Sequence, residues 1–322
     1  MRFKFFISKP ANKFYYLQNL TNWHFASRSE NIKKWEEITG PLNSKEEEAI
    51  NQFANILKKI GYKSIFPGVP FFLSKTEAGA FKKAEKFLDK NDLAVFKRTF
   101  KIFNPKFSLI WKKLNRKFPA INKIKNEVKS KRFKKIIKKT SLICDNFIPE
   151  IKISVIISPF AKNETAAGTA FSEHDAITLE LPTDLNNEWV EIYSIGVMIH
   201  EIIHVLLEKK GFSKKIKKIV DKKNFPEKIN GKRVYSWINE SIVESFAPQG
   251  FLMQNYYPNK IADALLLNAD RAYSKNSKNK DFIRYYLLWN NYPAAVYYGR
   301  TNKKIDNQFI EKAVKSLEDL LK

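Results

Sequence analysis

Residues 187–209 hold the pattern that most restricts how this chain can fold. From Glu188 to Glu208 they read EWVEIYSIGVMIHEIIHVLLE. That pattern is apolar around most of a helical circumference, and such a helix is stable only where other elements cover it on nearly every side. The chain can supply that cover, because its 322 residues are 44% hydrophobic and 14% aromatic. The patch between Glu191 and His200 is far shorter than the about 18 apolar residues of a membrane span. His200 and His204, two of only four histidines, stand four apart in this pattern and share one face. Ile199, Ile202, Ile203, Val205, Leu206 and Leu207 surround them, so their polar nitrogens must be paired in the folded chain.

A metal ion pairs both rings at once. One helical turn directs the two imidazoles at a single point, where their nitrogens can bind Zn²⁺ at about 2.0–2.1 Å. Glu201, rotated by about 100° from His200, does not point at that ion but can reach water beside it. His200-Glu201-Ile202-Ile203-His204 is thus an HExxH motif as found in zinc metallopeptidases. Catalytic zinc takes three protein ligands, so a third has to come from elsewhere. The metzincin continuation is excluded, since Leu207 and Lys210 stand where its glycine and third histidine would fall.

Downstream, Trp237 to Ala247 forms a second helical pattern, stopped by Pro248. Glu240 and Glu244 share one face of it, and Ile238, Ile242 and Phe246 offer an apolar side. Carboxylates on an inner face are costly unless something positive receives them. The pair of motifs, HEIIH at 200–204 and INESIVE at 238–244, resembles the gluzincins, the thermolysin-like and aminopeptidase-like zinc peptidases. This resemblance implies a zincin-like catalytic domain, one zinc per chain, Glu240 as the third ligand, and Glu244 as an acid that hydrogen-bonds a metal-bound histidine. The reverse assignment of the two glutamates stays open. The resemblance further implies a Tyr or His donor to the developing oxyanion, for which Tyr297 and Tyr298 are the candidates. It also makes the strand at 176–181 the edge above the metal, where an extended peptide would add and His174 could line the cleft, although His174 reads first as a surface histidine.

The likeness covers roughly residues 150–300, but only the two short motifs are specific. Between His204 and Glu240 lie 35 residues with eight lysines from Lys209 to Lys223, a longer spacer than in compact gluzincins and one that reads as an inserted, solvated loop or helix. Nothing marks His24 beyond an ordinary, partly buried role.

Charge is distributed unevenly along the chain. The formal net charge is +25, and residues 1–150 carry 33 basic and 13 acidic side chains against 25 and 20 in residues 151–322. The window 97–139 alone holds 17 Lys or Arg and one acid, Glu127. Its apolar residues Phe96, Phe100, Phe103, Phe107, Trp111, Leu114 and Phe118 recur every three or four positions, which predicts helices with an aromatic stripe inside and cations outside. Pro105 and Pro119 should break that stripe into separate helices, and Ile121 to Ile137 reads as one more, ending before Cys144. A basic surface of this kind suits an acidic protein, nucleic acid or a membrane face. No nucleic-acid motif supports the second of these.

These readings predict an α+β chain: a mainly helical, strongly basic N-terminal domain over residues 1–148 and a zincin-like domain over 149–322. Helices are expected at 32–39, 44–60 (with Ser44 as cap) and 75–88, and strands at 2–7, 14–17, 150–159 and 176–181, with a turn at 162–165. No secretory leader is read at the N-terminus and the single Cys144 can form no intramolecular disulfide. A cytoplasmic setting is therefore expected. The predicted activity is hydrolysis of peptide bonds, in which zinc acidifies water and polarises the scissile carbonyl while Glu201 acts as general base. The alternative is a basic binding protein whose zincin domain is inactive or structural.

Overall fold

The computed structural model of the chain describes residues 1–23, 27, 29–61, 68–115, 120–159, 167–182, 188–254 and 280–322. Four strands form its main sheet: β1 (Arg2–Ile7), β2 (Glu150–Ser158), β3 (Ala167–Phe171) and β4 (Ala176–Pro182), in the order β1-β2-β4-β3. The first three positions in that order are parallel, and β3 runs antiparallel to β4. Parallel neighbours require a long crossover, and the one from β1 to β2 contains a whole helical layer. Every residue of β4 is buried, as expected for a strand covered on both faces. The 176–181 strand is therefore internal, and β3, not β4, forms the edge.

The crossover holds α1 (Lys9–Leu20), α2 (Ser29–Thr39), α3 (Ser44–Ile60), α4 (Val69–Phe72), α5 (Glu77–Ala84), α6 (Lys90–Ile102), α7 (Asn104–Asn115), α8 (Ala120–Glu127) and α9 (Lys131–Ile143). Residues 14–17, expected as a strand, lie inside α1. The Ser8 hydroxyl accepts from Ala11 N and Pro10 sits in the first turn, both of which favour helix initiation. Phe14 then meets Phe53, Phe71 and Phe72, and Tyr16 meets Trp35 and Phe103, on several sides at once. Tertiary packing thus outweighs the strand preference of four aromatic and aliphatic residues in a row. α3 starts as expected, but its cap is Asn43. The Asn43 side chain accepts from Glu46 N while Glu46 accepts from Asn43 N, a reciprocal cap worth about 1 kcal/mol.

In the basic window, Phe96, Phe100, Phe103 and Phe107 are buried as the spacing predicts. Pro105 opens α7 and separates it from α6, while Phe118 and Pro119 lie outside the described residues, as do His24 and the 162–165 turn. The helix expected over 121–137 is two, because Ser130 caps a new one: its hydroxyl accepts from Phe133 N and donates to Glu127.

The second half contributes α10 (Glu188–Glu208), α11 (Phe212–Val220), the short pair β5 (Lys228–Ile229) and β6 (Lys232–Arg233), α12 (Val234–Glu244), α13 (Phe251–Gln254), and the helices Lys280–Thr301 and Asn307–Leu321. α10 runs beside β3 and β4 with Ile195, Met198, Ile199, Ile202, Ile203, Val205 and Leu206 all but inaccessible. The lysine-rich spacer folds as α11, which buries Phe212, Ile216 and Val220 and leaves its lysines outside. The sheet draws β1 from residues 1–148 and its other strands from 149–322, and the buried apolar residues of both regions form one continuous cluster. Among the described residues no helix is long and apolar enough to cross a membrane.

Candidate metal centre

Three elements meet at His200. α10 supplies His200, Glu201 and His204, and α12 supplies Glu240. The turn after α12 brings the Ala247 carbonyl to His200 Nδ1 at 2.9 Å. That carbonyl can only accept, so the ring proton sits on Nδ1 and the Nε2 lone pair points the other way. Gly196, one turn before His200, makes this approach possible. A Cβ there would lie 2.8 Å from Pro248 Cβ and 2.9 Å from its carbonyl oxygen, closer than packed atoms tolerate.

The Nε2 atoms of His200 and His204 are 3.0 Å apart, and Glu240 Oε2 lies 3.4 Å from the first and 3.6 Å from the second. Ligands bound tetrahedrally at zinc distances stand about 3.3–3.4 Å from one another. The group therefore has the edge lengths of a metal coordination face. Among the described residues, His200, His204 and Glu240 could hold a metal ion, their ligand atoms all lying within 4.8 Å of one another.

The electrostatics favour a cation at the same point. Burial works against a charged His200, yet the hydrogen bond to Glu240 and the charges of Glu201, Glu240 and Glu244 outweigh it and raise the His200 pKa from 6.5 to about 9. Burial likewise opposes ionisation of Glu240, but the two histidines hold its carboxyl well below the ordinary range. In the absence of another cation, a proton on His200 supplies positive charge among these acids. Glu201 is 8% exposed. Burial raises its proton affinity, with Glu240 and Glu180 adding to that and the histidines opposing it. It faces the edge strand, where Gly168 leaves room for it: a Cβ at Gly168 would fall 2.6 Å from Glu201 Cγ.

The remaining expected residues lie as follows. Glu244 is buried and pairs with Arg284 Nε at 2.7 Å, while its other oxygen is shut from solvent and has no hydrogen-bond partner among the described residues. It acts on His200 through its charge, and the bond to that ring is made by Ala247. Tyr298 donates to Asp306 Oδ1 at 2.7 Å and packs on Phe309, and Tyr297 is 56% exposed. Both sit 13 or 14 residues beyond Arg284 on one helix, about 20 Å along its axis, so neither is brought to the metal group. His174 is exposed in a short 3₁₀ turn beside β4.

The sequence reading missed Arg284 and Tyr193. Arg284 lies against Glu244 and Tyr193, and its guanidinium is 42% exposed. Tyr193 had a signal, since it falls seven residues before His200 and so shares its face; Arg284 had none among 58 basic residues. Asn239, beside Glu240, donates to Ser213 Oγ at 2.9 Å and to Glu208 at 3.4 Å, which ties α12 to the end of α10. No protein-family model, curated protein or solved structure matches the chain.

Proposed function

We propose that the chain is a zinc-dependent peptidase of gluzincin type, with His200, His204 and Glu240 as metal ligands and Glu201 as general base. What carries the reading is the convergence of two Nε2 atoms and one carboxylate oxygen at 3.0–3.6 Å, with a buried carboxylate next to the first ligand. Two imidazoles and one carboxylate from an HExxH helix and a second helix suit zinc. A metal held there supplies Lewis acidity toward a carbonyl oxygen and makes water more acidic.

The chain's own groups supply the rest. Glu201, kept basic by burial, takes the proton of the attacking water at its carboxylate and returns it to the leaving amine. Gly168 holds the edge strand against it, so that the carboxylate has one orientation. Arg284, held by Glu244 at 2.7 Å and lying against Tyr193, is a further donor beside these acids. The proposed substrate is a peptide or protein, with acidic ones favoured by the basic N-terminal region, and the proposed setting is cytoplasmic.

Metal analysis of protein purified without chelator tests this directly. The expected content is about one zinc per chain, and Glu201→Gln should keep the metal while losing chelator-sensitive peptide cleavage. Absence of zinc in the wild type overturns the reading. Ferrous iron also accepts two histidines and a carboxylate, so finding iron instead would replace the peptidase by an oxidative activity.

A further inference from the structure

α9 turns Phe133, Ile136 and Ile137 inward and leaves a row of cations on its outer side. Where that row meets β1, a cavity of about 820 Å³ opens, lined by none of the metal-centre residues. Its walls are mainly apolar, formed by Phe3, Phe133, Ile137, Leu142 and Phe147. Leu142 and Phe147 are 47% and 60% exposed, large apolar side chains left in water at the mouth of a concave site. The size is that of cavities that enclose one small molecule.

The charged groups in the lining are mostly cations, Lys134, Lys138 and Lys304 against Asp145. Lys134 and Lys138 stand one turn apart on the wall, and neither ammonium has an ion pair or hydrogen bond among the described residues. Ser141, three residues further on, lines the same wall, and its hydroxyl has no hydrogen-bond partner among the described residues. The one acid in the lining, Asp145, is already taken. Lys210 and Lys304 both bond it and hold its carboxyl down at about 2. An apolar trough with two unpaired cations on one wall is complementary to a chain that ends in a single anion. A protein segment would need a longer groove, and a bilayer would need a protruding apolar face.

We propose that this cavity binds a monomeric long-chain carboxylate, its chain lying along Phe3, Ile137, Leu142 and Phe147 and its carboxylate between Lys134 and Lys138. The site stands apart from the metal centre and does not depend on it.

Calorimetric titration of the full-length protein with dodecanoate, kept below its micellar concentration, tests the assignment. Dodecyltrimethylammonium, with the same chain and the opposite charge, serves as the comparison. The wild type should bind one dodecanoate per chain, and dodecyltrimethylammonium at least about tenfold more weakly. The double variant Lys134→Glu/Lys138→Glu changes only exposed side chains and should reverse that preference. Phe147→Ala should weaken both ligands, and Glu240→Ala should change neither. The proposal is overturned by a lack of saturable dodecanoate binding, by equal binding of the two ligands, or by a charge-reversed variant that binds dodecanoate as the wild type does. It is also overturned if anionic phosphatidylglycerol vesicles bind while monomeric dodecanoate does not, which would assign the face to a membrane.

Discussion

α10 and α9 carry charge in opposite ways. Around α10 the charged groups are few, buried or half-buried, and mutually engaged: Glu240 with both histidine rings, His200 with Ala247 O, Glu244 with Arg284. Along α9 the cations are many, exposed and mostly without partners. Formal charge is concentrated on the second, yet the energetic stakes lie on the first. A lysine in water costs the fold almost nothing, whereas a half-buried carboxylate facing two rings needs something positive to complete the group. The contrast teaches that the net +25 says little about chemistry, and that two histidines and a glutamate in a dry setting say much.

The sharpest way to break this contrast is to remove the third ligand. Glu240→Ala should lower metal affinity by more than about a hundredfold and abolish cleavage with it, as read by metal content after dialysis. Charge reversal at Lys134, equally drastic by charge count, should leave metal content unchanged. If both variants lose metal alike, the centre depends on the overall field and not on this triad. Glu201→Gln comes next. Loss of a general base costs about 10²- to 10⁴-fold in rate, and metal content should stay at the wild-type level.

This is also where the sequence was most and least informative. Spacing alone placed His200, His204, Glu240 and Glu244 on two helix faces, because a 3.6-residue period leaves little freedom over one turn. It could not show that Gly168 and Gly196 are the points where a strand and a turn close on that helix, since a glycine is silent about what approaches it. Nor could it bring Arg284 from a distant helix to Glu244, or exclude Tyr297 and Tyr298, whose distance along that helix matters only once its other end is fixed. In the fold, the aromatic stripe of α6 and α7 followed from periodicity. Residues 14–17 were misread because their helix is buried on several sides and carries no polar face to set a period. The parallel pairing of β1 with β2 was invisible, as nothing local links strands so far apart in the chain.

Smaller effects test the fit around Glu201 and the charge on His200. Gly168→Ala puts a methyl 2.6 Å from Glu201 Cγ, so the carboxylate must move. Cleavage should fall about ten- to a hundredfold with metal retained, and an unchanged rate would mean that Glu201 is not held from the edge strand. The pH dependence of melting is the next test. In metal-free protein the folded-state pKa of His200 is about 9, raised from 6.5. Its contribution to stability is therefore complete below pH 6.5 and lost as the pH rises through about 9. The metal competes with that proton, so it binds better over the same interval. Metal-free protein should thus melt lower at pH 9 than at pH 6.5, and the rise in melting temperature on adding zinc should be larger at pH 9. The opposite trend would mean that His200 is neutral without metal and that the acids around it do not favour a cation there.

The smallest effect belongs to the other side of the comparison. Lys131 and Lys135 are exposed on α9, four residues apart, and Lys139 follows at the same spacing with its Nζ over the Phe251 ring at 5.0 Å. Burial lowers the Lys139 pKa, and the charge of Lys135 lowers it further. Like charges at this spacing repel by only a few tenths of a kcal/mol, so Lys135→Gln should stabilise the chain by less than about 0.5 kcal/mol in low salt. Added salt should raise the wild-type melting temperature slightly more than that of the variant, because only the wild type has this repulsion to screen. A loss of more than about 1 kcal/mol would instead show that Lys135 holds a partner in the folded chain. The row on α9 would then be structural in the way that Glu240 is, and the distinction between cheap exposed charge and costly buried charge would fail at that position.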